Sequence, residues 1–161
     1  MDKIPSFQKN HDVLQPGFHF SGVQKGVDTF DLRFKKPNAG DFISPKALHS
    51  VEHMLATALR NGKCKDSVLY FGPMGCRTGF YLLTAGLTCN EVFSALKTAL
   101  VAALAMDEVP GSARVECGNY LEHDLADAKR EYTAYLTLLA SLSEEEIAAE
   151  EKKRREAHAH G

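Results

Sequence analysis

Asp28-Thr-Phe-Asp-Leu-Arg-Phe34, followed ten residues later by Ser44-Pro-Lys-Ala-Leu-His-Ser-Val-Glu-His-Met-Leu-Ala-Thr-Ala-Leu-Arg-Asn-Gly62, sets two periodicities side by side. In the first stretch Phe30, Leu32 and Phe34 fall on one side and Thr29, Asp31 and Arg33 on the other, the alternation of a half-buried strand. In the second, Leu48, Val51, Leu55, Ala58 and Leu59 recur at helical spacing. Ser44 is placed to cap that helix, with Pro45 at its first position, and Asn61-Gly62 stops it. Lys36-Pro37-Asn38-Ala39-Gly40-Asp41 supplies the turn between the two.

Outward from this core the two periods keep alternating. Phe18, Phe20 and Gly22 suggest one more extended segment, Ser67–Phe71 a short apolar strand and Gly79–Leu87 another. Gly72-Pro73-Met74-Gly75-Cys76 lies between the last two as irregular chain. Thr88–Ala105 is a long helix with Val92, Leu96, Leu100 and Leu104 on its apolar face, capped by Thr88 or Asn90. Val109-Pro110-Gly111 breaks the pattern, and His123–Ser141 is helical again. Strands interspersed with helices predict an α+β, two-layer fold, with one domain over residues 1–142. Residues 143–161 read as a charged terminal helix or tail. Ser143 and Glu146 form a capping box, acids lead and Lys152–Arg155 trail. It is expected to be solvated and to fray over His158–Gly161.

Composition narrows the class. A chain of 161 residues fits one domain or at most two very small ones, and is long enough to bury roughly 70% of its unfolded surface without staples. With 44% apolar and 25% charged residues, bulk disorder and fibre are excluded. Lys+Arg 19 against Asp+Glu 21 leaves no basic excess for nucleic acid. No apolar run approaches the ~20 residues of a membrane helix, and Met1–Lys9 has no hydrophobic block. A cytoplasmic protein with no nucleic-acid or membrane partner is expected. Cys64, Cys76, Cys89 and Cys117 contain no Cys-x-x-Cys pair, so they are expected as reduced thiols and not as a zinc ribbon or a thioredoxin-type couple.

The sharpest local signal is His49-Ser-Val-Glu52-His53. Two histidines four apart project from one helical face, close enough for both imidazoles to reach one ion, with Glu52 beside them to handle protons. A catalytic first-row metal needs a third protein ligand and an open position. Cys117, Glu116, Glu122 and His123 are the downstream candidates, and Cys117 sits in an Glu-Cys-Gly-Asn turn that can aim a thiolate. Cys64 and Cys89 read as packed thiols. Cys76 lies in the glycine-rich segment Gly72–Gly79 next to Arg77, and a neighbouring cation lowers a thiol's pKa, so Cys76 is a candidate acid/base or nucleophile. His19 reads as structural, His158 and His160 as solvated. His123 either supports the metal site from behind its ligands or packs.

Taken together, His49–His53, Gly72–Tyr81 (GPMGCRTGFY) and Glu116–Leu125 (ECGNYLEHDL) resemble the S-ribosylhomocysteine lyase family, LuxS. Ser6-Phe7 with His11, and Phe30–Asn38, fit in the same order, so the resemblance spans roughly residues 6–136. It implies a homodimeric fold with a small antiparallel β-sheet packed against helices and active sites at the dimer interface. It also implies that His49, His53 and Cys117 hold one divalent metal per subunit, Fe(II) in the cell and Zn(II) or Co(II) as isolated. Glu52 and Cys76 correspond to the family's two acid/base groups, and Ser6, His11 and Arg33 to positions that contact substrate. The implied reaction cleaves S-ribosylhomocysteine to homocysteine and 4,5-dihydroxy-2,3-pentanedione, the autoinducer-2 precursor of quorum sensing.

One departure stands out. Where the family usually carries Asp-[Ile/Val]-Ser-Pro-Met-Gly-Cys, this chain has Tyr70-Phe71-Gly72-Pro73 before Met74-Gly75-Cys76, so a phenol stands at the acidic position. The stretch around Gly17–Asp28 is also shorter than in many relatives. Two other functions fit part of the pattern. An inverted-zinc metallopeptidase would use the same His-x-x-Glu-His with Glu122 or Glu131 as third ligand, and leaves Cys76 and Cys117 without a role. A degenerate, metal-binding homologue without turnover would account for Tyr70, and leaves Glu52 and Cys76 idle.

Overall fold

A computed structural model describes residues 1–160. Four strands form one antiparallel sheet: β1 (Gly17–Gln24), β2 (Val27–Arg33), β3 (Val68–Pro73) and β4 (Gly79–Ala85), in the spatial order β1-β2-β4-β3. The register pairs Phe20 with Phe30 across β1 and β2, and Phe30 with Leu82 across β2 and β4. That puts the apolar residues of the three strands on one face. The helices are α1 (Pro5–Gln8), α2 (Pro45–Arg60), α3 (Cys89–Leu104), α4 (Leu125–Ala140) and α5 (Glu144–Ala159). Phe18, Phe30, Leu32, Phe80 and Leu82 of the sheet meet Val51, Met54 and Leu55 of α2, Leu96 and Leu100 of α3, and Tyr132, Tyr135 and Leu139 of α4 in a single buried cluster. The α+β, two-layer expectation holds, and no helix among the described residues is long and apolar enough to cross a membrane.

The caps follow the sequence. Ser44 Oγ accepts from Ala47 N at 3.2 Å, with Pro45 at the first position of α2. Thr88, not Asn90, caps α3, and it does so in a reciprocal box with Glu91. Ser143 and Glu146 form the expected box on α5.

Three local expectations are corrected. The second face of β2 is not a solvated one: Asp31 and Arg33 are fully buried, because they pair with each other and with the N-terminal segment through Lys9. Gly72 and Pro73 belong to β3 and pair with Tyr81 and Phe80, so the irregular chain is only the hairpin connection Met74–Thr78. The terminal helix is docked rather than solvated. Ile147, Glu150 and Glu151 are buried, and α5 packs on β1 and α3. Its helical turns run to Ala159 without fraying at His158; of the expected frayed end, Gly161 lies outside the described residues.

Candidate metal centre and the groups around it

The helical signal on α2 becomes a cluster. His49 and His53 lie one turn apart, and the ligand atoms of His49, His53, Cys117 and His123 all fall within 4.8 Å of one another. Cys117 Sγ is 3.5 Å from His49 Nε2, 4.0 Å from His53 Nε2 and 3.6 Å from His123 Nε2. All four side chains are half-buried.

Each ring is aimed by what its other nitrogen touches. His49 Nδ1 donates to the carbonyl of Glu122 at 2.8 Å, and His53 Nδ1 to the carbonyl of Pro110 at 3.0 Å. A carbonyl only accepts, so both Nδ1 atoms carry the proton and both Nε2 atoms present a lone pair to the centre. Gly111, at a φ of +66°, turns the chain just after the Pro110 carbonyl. A side chain there would begin 3.3 Å from His53 Nδ1. Cys117 is held by a turn in which Glu116 N and Cys117 N both donate to the Ala113 carbonyl. The Asn119 N–H points back at the sulfur at 3.4 Å. Two imidazole lone pairs and a thiolate, oriented by groups behind them, are the donor set of a borderline-soft divalent cation. The residues present fit such an ion.

The two carboxylates among the downstream candidates are committed elsewhere, while His123 joins the cluster. The carboxylate of Glu122 accepts from Asn119 Nδ2, and that of Glu116 from Ala113 N. Burial, and next the neighbouring His49 and His53 rings, lower the pKa of His123. Glu52 is half-buried on the same helix, with no ion pair among the described residues.

A second constellation sits at the sheet. Arg33 is buried and forks onto Asp31, with Nε to Oδ1 at 3.0 Å and Nη2 to Oδ2 at 2.6 Å; Lys9 Nζ adds a third contact to Asp31 at 2.7 Å. Burial would raise the pKa of Asp31, but Arg33 and Lys9 outweigh it and hold the carboxyl below its usual range. Arg33 Nη1 donates to Thr78 Oγ1 at 2.8 Å, and Thr78 Oγ1 is 3.0 Å from Cys76 Sγ. The Thr78 hydroxyl, accepting from the guanidinium, has its proton free for the sulfur. Cys76 is exposed. The cation expected beside it is therefore Arg33 and not Arg77. Arg33 Nη1 is 3.9 Å from Sγ, while Arg77 turns away to the Ile43 carbonyl. Arg77 does its work through the backbone: its φ of +60° closes the Met74–Thr78 connection, and its carbonyl accepts from Ile43 N.

Ser6, on α1, faces the same hollow as Tyr81. His11 Nδ1 donates to the Lys9 carbonyl at 3.0 Å, and its Nε2 has no partner among the described residues. Pro5, Ser6, Tyr70 and Tyr81 line a hollow of about 370 Å³ on the sheet face opposite the core. The structure thus gathers His49, His53 and Cys117 in one hydrogen-bonded set, and Arg33 and Cys76 in another, with Ser6 and His11 on the segment that covers the sheet.

The family model of S-ribosylhomocysteinase (LuxS) matches residues 4–146. The chain belongs to this family. It is 41% identical to the S-ribosylhomocysteine lyase of Clostridium acetobutylicum and 39% identical to that of Borreliella afzelii, each over 91% of this chain and 98% of the relative. The S-ribosylhomocysteine lyase of Desulfotalea psychrophila is 40% identical over the same shares.

Within this LuxS chain, several groups that the sequence reading passed over prove to hold the named ones in place. Asp31 and Thr78 were accessible to it, since each stands two residues from a named residue: Asp31 from Arg33 on an alternating strand, Thr78 from Cys76 in the connection before β4. Lys9 and Ser50 carried no signal, because their partners, Asp31 and His123, are 22 and 73 residues away. The match ends at residue 146, so nearly all of α5 lies beyond the LuxS model.

Proposed function

We propose that this chain is a metal-dependent S-ribosylhomocysteine lyase that releases homocysteine and 4,5-dihydroxy-2,3-pentanedione. Membership of the LuxS family over nearly the whole chain carries the reading. The convergence of His49, His53 and Cys117 supports its metal dependence. The thioether sulfur on C5 can leave only after the sugar carbonyl has moved from C1 to C3, which makes the C4 proton acidic. Each shift removes a proton beside a carbonyl and returns it to the neighbouring carbon. A divalent ion held by His49 Nε2, His53 Nε2 and Cys117 Sγ would supply Lewis acidity toward the negative oxygens that form.

The chain's own groups handle the protons. Glu52 and Cys76 are assigned the two acid/base roles. Cys76 Sγ is held by the Thr78 hydroxyl and faced by the Arg33 guanidinium, contacts that fix where the sulfur can take a proton and return it. Arg33, Ser6 and His11 are assigned to substrate contact. Arg33 is immobilised by its fork onto Asp31, so its remaining donor capacity has a fixed direction. A homodimer is part of the proposal. Ile4, Phe7 and Tyr70 are exposed at or beside the hollow on the outer sheet face, and a second copy of the chain would cover them. The ion in the cell is assigned as Fe(II), and the compartment as the cytoplasm.

The test is turnover of S-ribosylhomocysteine on anaerobically prepared Fe(II) or Co(II) protein, with free homocysteine read by a thiol reagent. Wild-type protein releases homocysteine. Glu52→Gln and Cys76→Ala lower the rate by at least about 10²-fold while metal content is retained. Release that persists in both variants would remove Glu52 and Cys76 from the mechanism, and no release from the metal-loaded wild type would overturn the activity.

A further inference from the structure

Four donor side chains meet at the candidate metal centre, yet the three histidines are not equivalent. His49 and His53 face carbonyl oxygens with Nδ1, so each keeps a bare Nε2. His123 faces Ser50 Oγ with Nδ1, at 3.1 Å. Ser50 is fully buried, and its oxygen already accepts from the Asp124 N–H at 2.8 Å. Its own proton needs an acceptor, because a buried hydroxyl left without one keeps the full cost of its desolvation. Among the described residues the acceptor within reach is His123 Nδ1. A His123 Nδ1 that accepts from Ser50 puts the ring proton on Nε2. That nitrogen points at Cys117 Sγ from 3.6 Å.

We infer that His123 is a positioning residue and not a fourth ligand: it donates its Nε2–H to the Cys117 sulfur, while His49, His53 and Cys117 bind the ion. The inference rests on the metal assignment above. The His123 ring stacks on His49 at 4.0 Å, which fixes its plane, and Ser50 fixes its tautomer. The sulfur then receives two N–H donors, from Asn119 N and His123 Nε2. These donors orient the thiolate and withdraw charge from it, which makes the bound ion a stronger Lewis acid. A fourth ligand at this position would instead close the coordination shell against substrate.

The tautomers are directly measurable. In ¹⁵N-labelled, zinc-loaded protein, long-range proton–nitrogen correlation spectra show His49 and His53 as Nδ1–H and His123 as Nε2–H. A His123 ring protonated at Nδ1 would overturn the inference. Cobalt-loaded protein gives a second readout. His123→Phe removes the donor, moves the sulfur-to-cobalt charge-transfer band to lower energy and weakens metal affinity by roughly 10–100-fold. X-ray absorption still counts two imidazoles on the metal, and His123→Gln, which keeps an N–H, restores part of the band shift. A band that does not move, or an imidazole count that falls from three to two, sinks the proposal. If His123→Phe fails to fold, the wild-type tautomer spectrum decides alone. A wild type with no sulfur-to-cobalt band would instead overturn the metal assignment, and the tautomer of His123 in the metal-free protein would still test the hydrogen bond to sulfur.

Discussion

Tyr70 and Gly72 stand on one face of β3, and the phenol of the first lies across the backbone of the second. A Cβ at position 72 would fall 2.0 Å from the Tyr70 hydroxyl. The glycine therefore makes the room in which the tyrosine lies, and the two residues act as a pair in the hollow that Ser6 also lines. The phenol carries no negative charge, and under the proposed function an acid at this position would hold the substrate's polar end. Tyr70→Asp is expected to lower KM for S-ribosylhomocysteine about tenfold, the worth of one charge-assisted hydrogen bond, with kcat changed little, in steady-state kinetics. Gly72→Ala is expected to push the half-exposed phenol out of the hollow. It should change KM while thermal unfolding shows a stability cost below about 1 kcal/mol, since the displaced group can rotate into water. Thr78 is the other residue whose replacement is informative. Thr78→Val breaks the link between Arg33 and Cys76 and should slow homocysteine release roughly tenfold, whereas Thr78→Ser keeps the hydroxyl and most of the rate.

At the scale of elements, α5 is the surprise. Its charges are used to hold the fold. Asp28, with no exposed surface, accepts from Arg154 Nε at 2.8 Å and lies 2.7 Å from His158 Nε2. Glu150 accepts from the Phe20 N–H of β1, and Glu151 from the Cys89 N–H at the start of α3, each at 2.8 Å. Burial and the Glu151 carboxylate push the Cys89 thiol up to about 12, so it stays protonated. Arg154→Met strips a charge partner from a buried carboxylate and is expected to cost about 2 kcal/mol, read as a fall in Tm of roughly 4–8 °C. The β1–α5 contact also has a pH window. Burial would lower the pKa of His19, but Glu150 and the Gln15 carbonyl outweigh it and raise it above the ordinary 6.5. That stabilisation is complete below 6.5 and is lost as pH rises through the folded value. Burial would raise the pKa of Glu150, but His19, Lys153 and the Phe20 N–H hold it below the ordinary 4.5. That contribution is present above 4.5 and is lost as pH falls through the lower folded value. Glu150→Gln should therefore depress Tm more at pH about 5.5 than at pH about 8.5. An equal loss at both would show that His19 takes no part.

For the whole molecule, the candidate metal centre ties α2 to the long irregular connection between α3 and α4, which carries Pro110, Cys117, Glu122 and His123. Removing the ion should loosen that connection first. Chelation is expected to lower Tm, and added Zn(II) or Co(II) to restore it, because a ligand that binds only the folded state stabilises it by mass action. Sedimentation should give a mass twice that of one chain; a monomer at micromolar concentration would remove the dimer from the proposal. How much of this was legible in advance depends on the distance along the chain over which each relationship acts. The strand at Asp28–Phe34, the capped helix at Ser44–Gly62 and the His49–His53 pair were readable, because periodicity and i, i+4 spacing are local properties of the backbone. The LuxS likeness of short motifs named Cys117 and Cys76 before the fold could. The sequence by itself therefore determined the α+β class and the helix caps, and it named the candidate site residues. Only the tertiary structure decided what surrounds them: that Arg33 and not Arg77 faces Cys76, that Asp31 anchors Arg33, that Ser50 sets the proton of His123, and that α5 is docked. Alternation along a strand or helix says which face is apolar, but the partner of a buried charge or ring nitrogen is chosen by whichever distant segment packs against it.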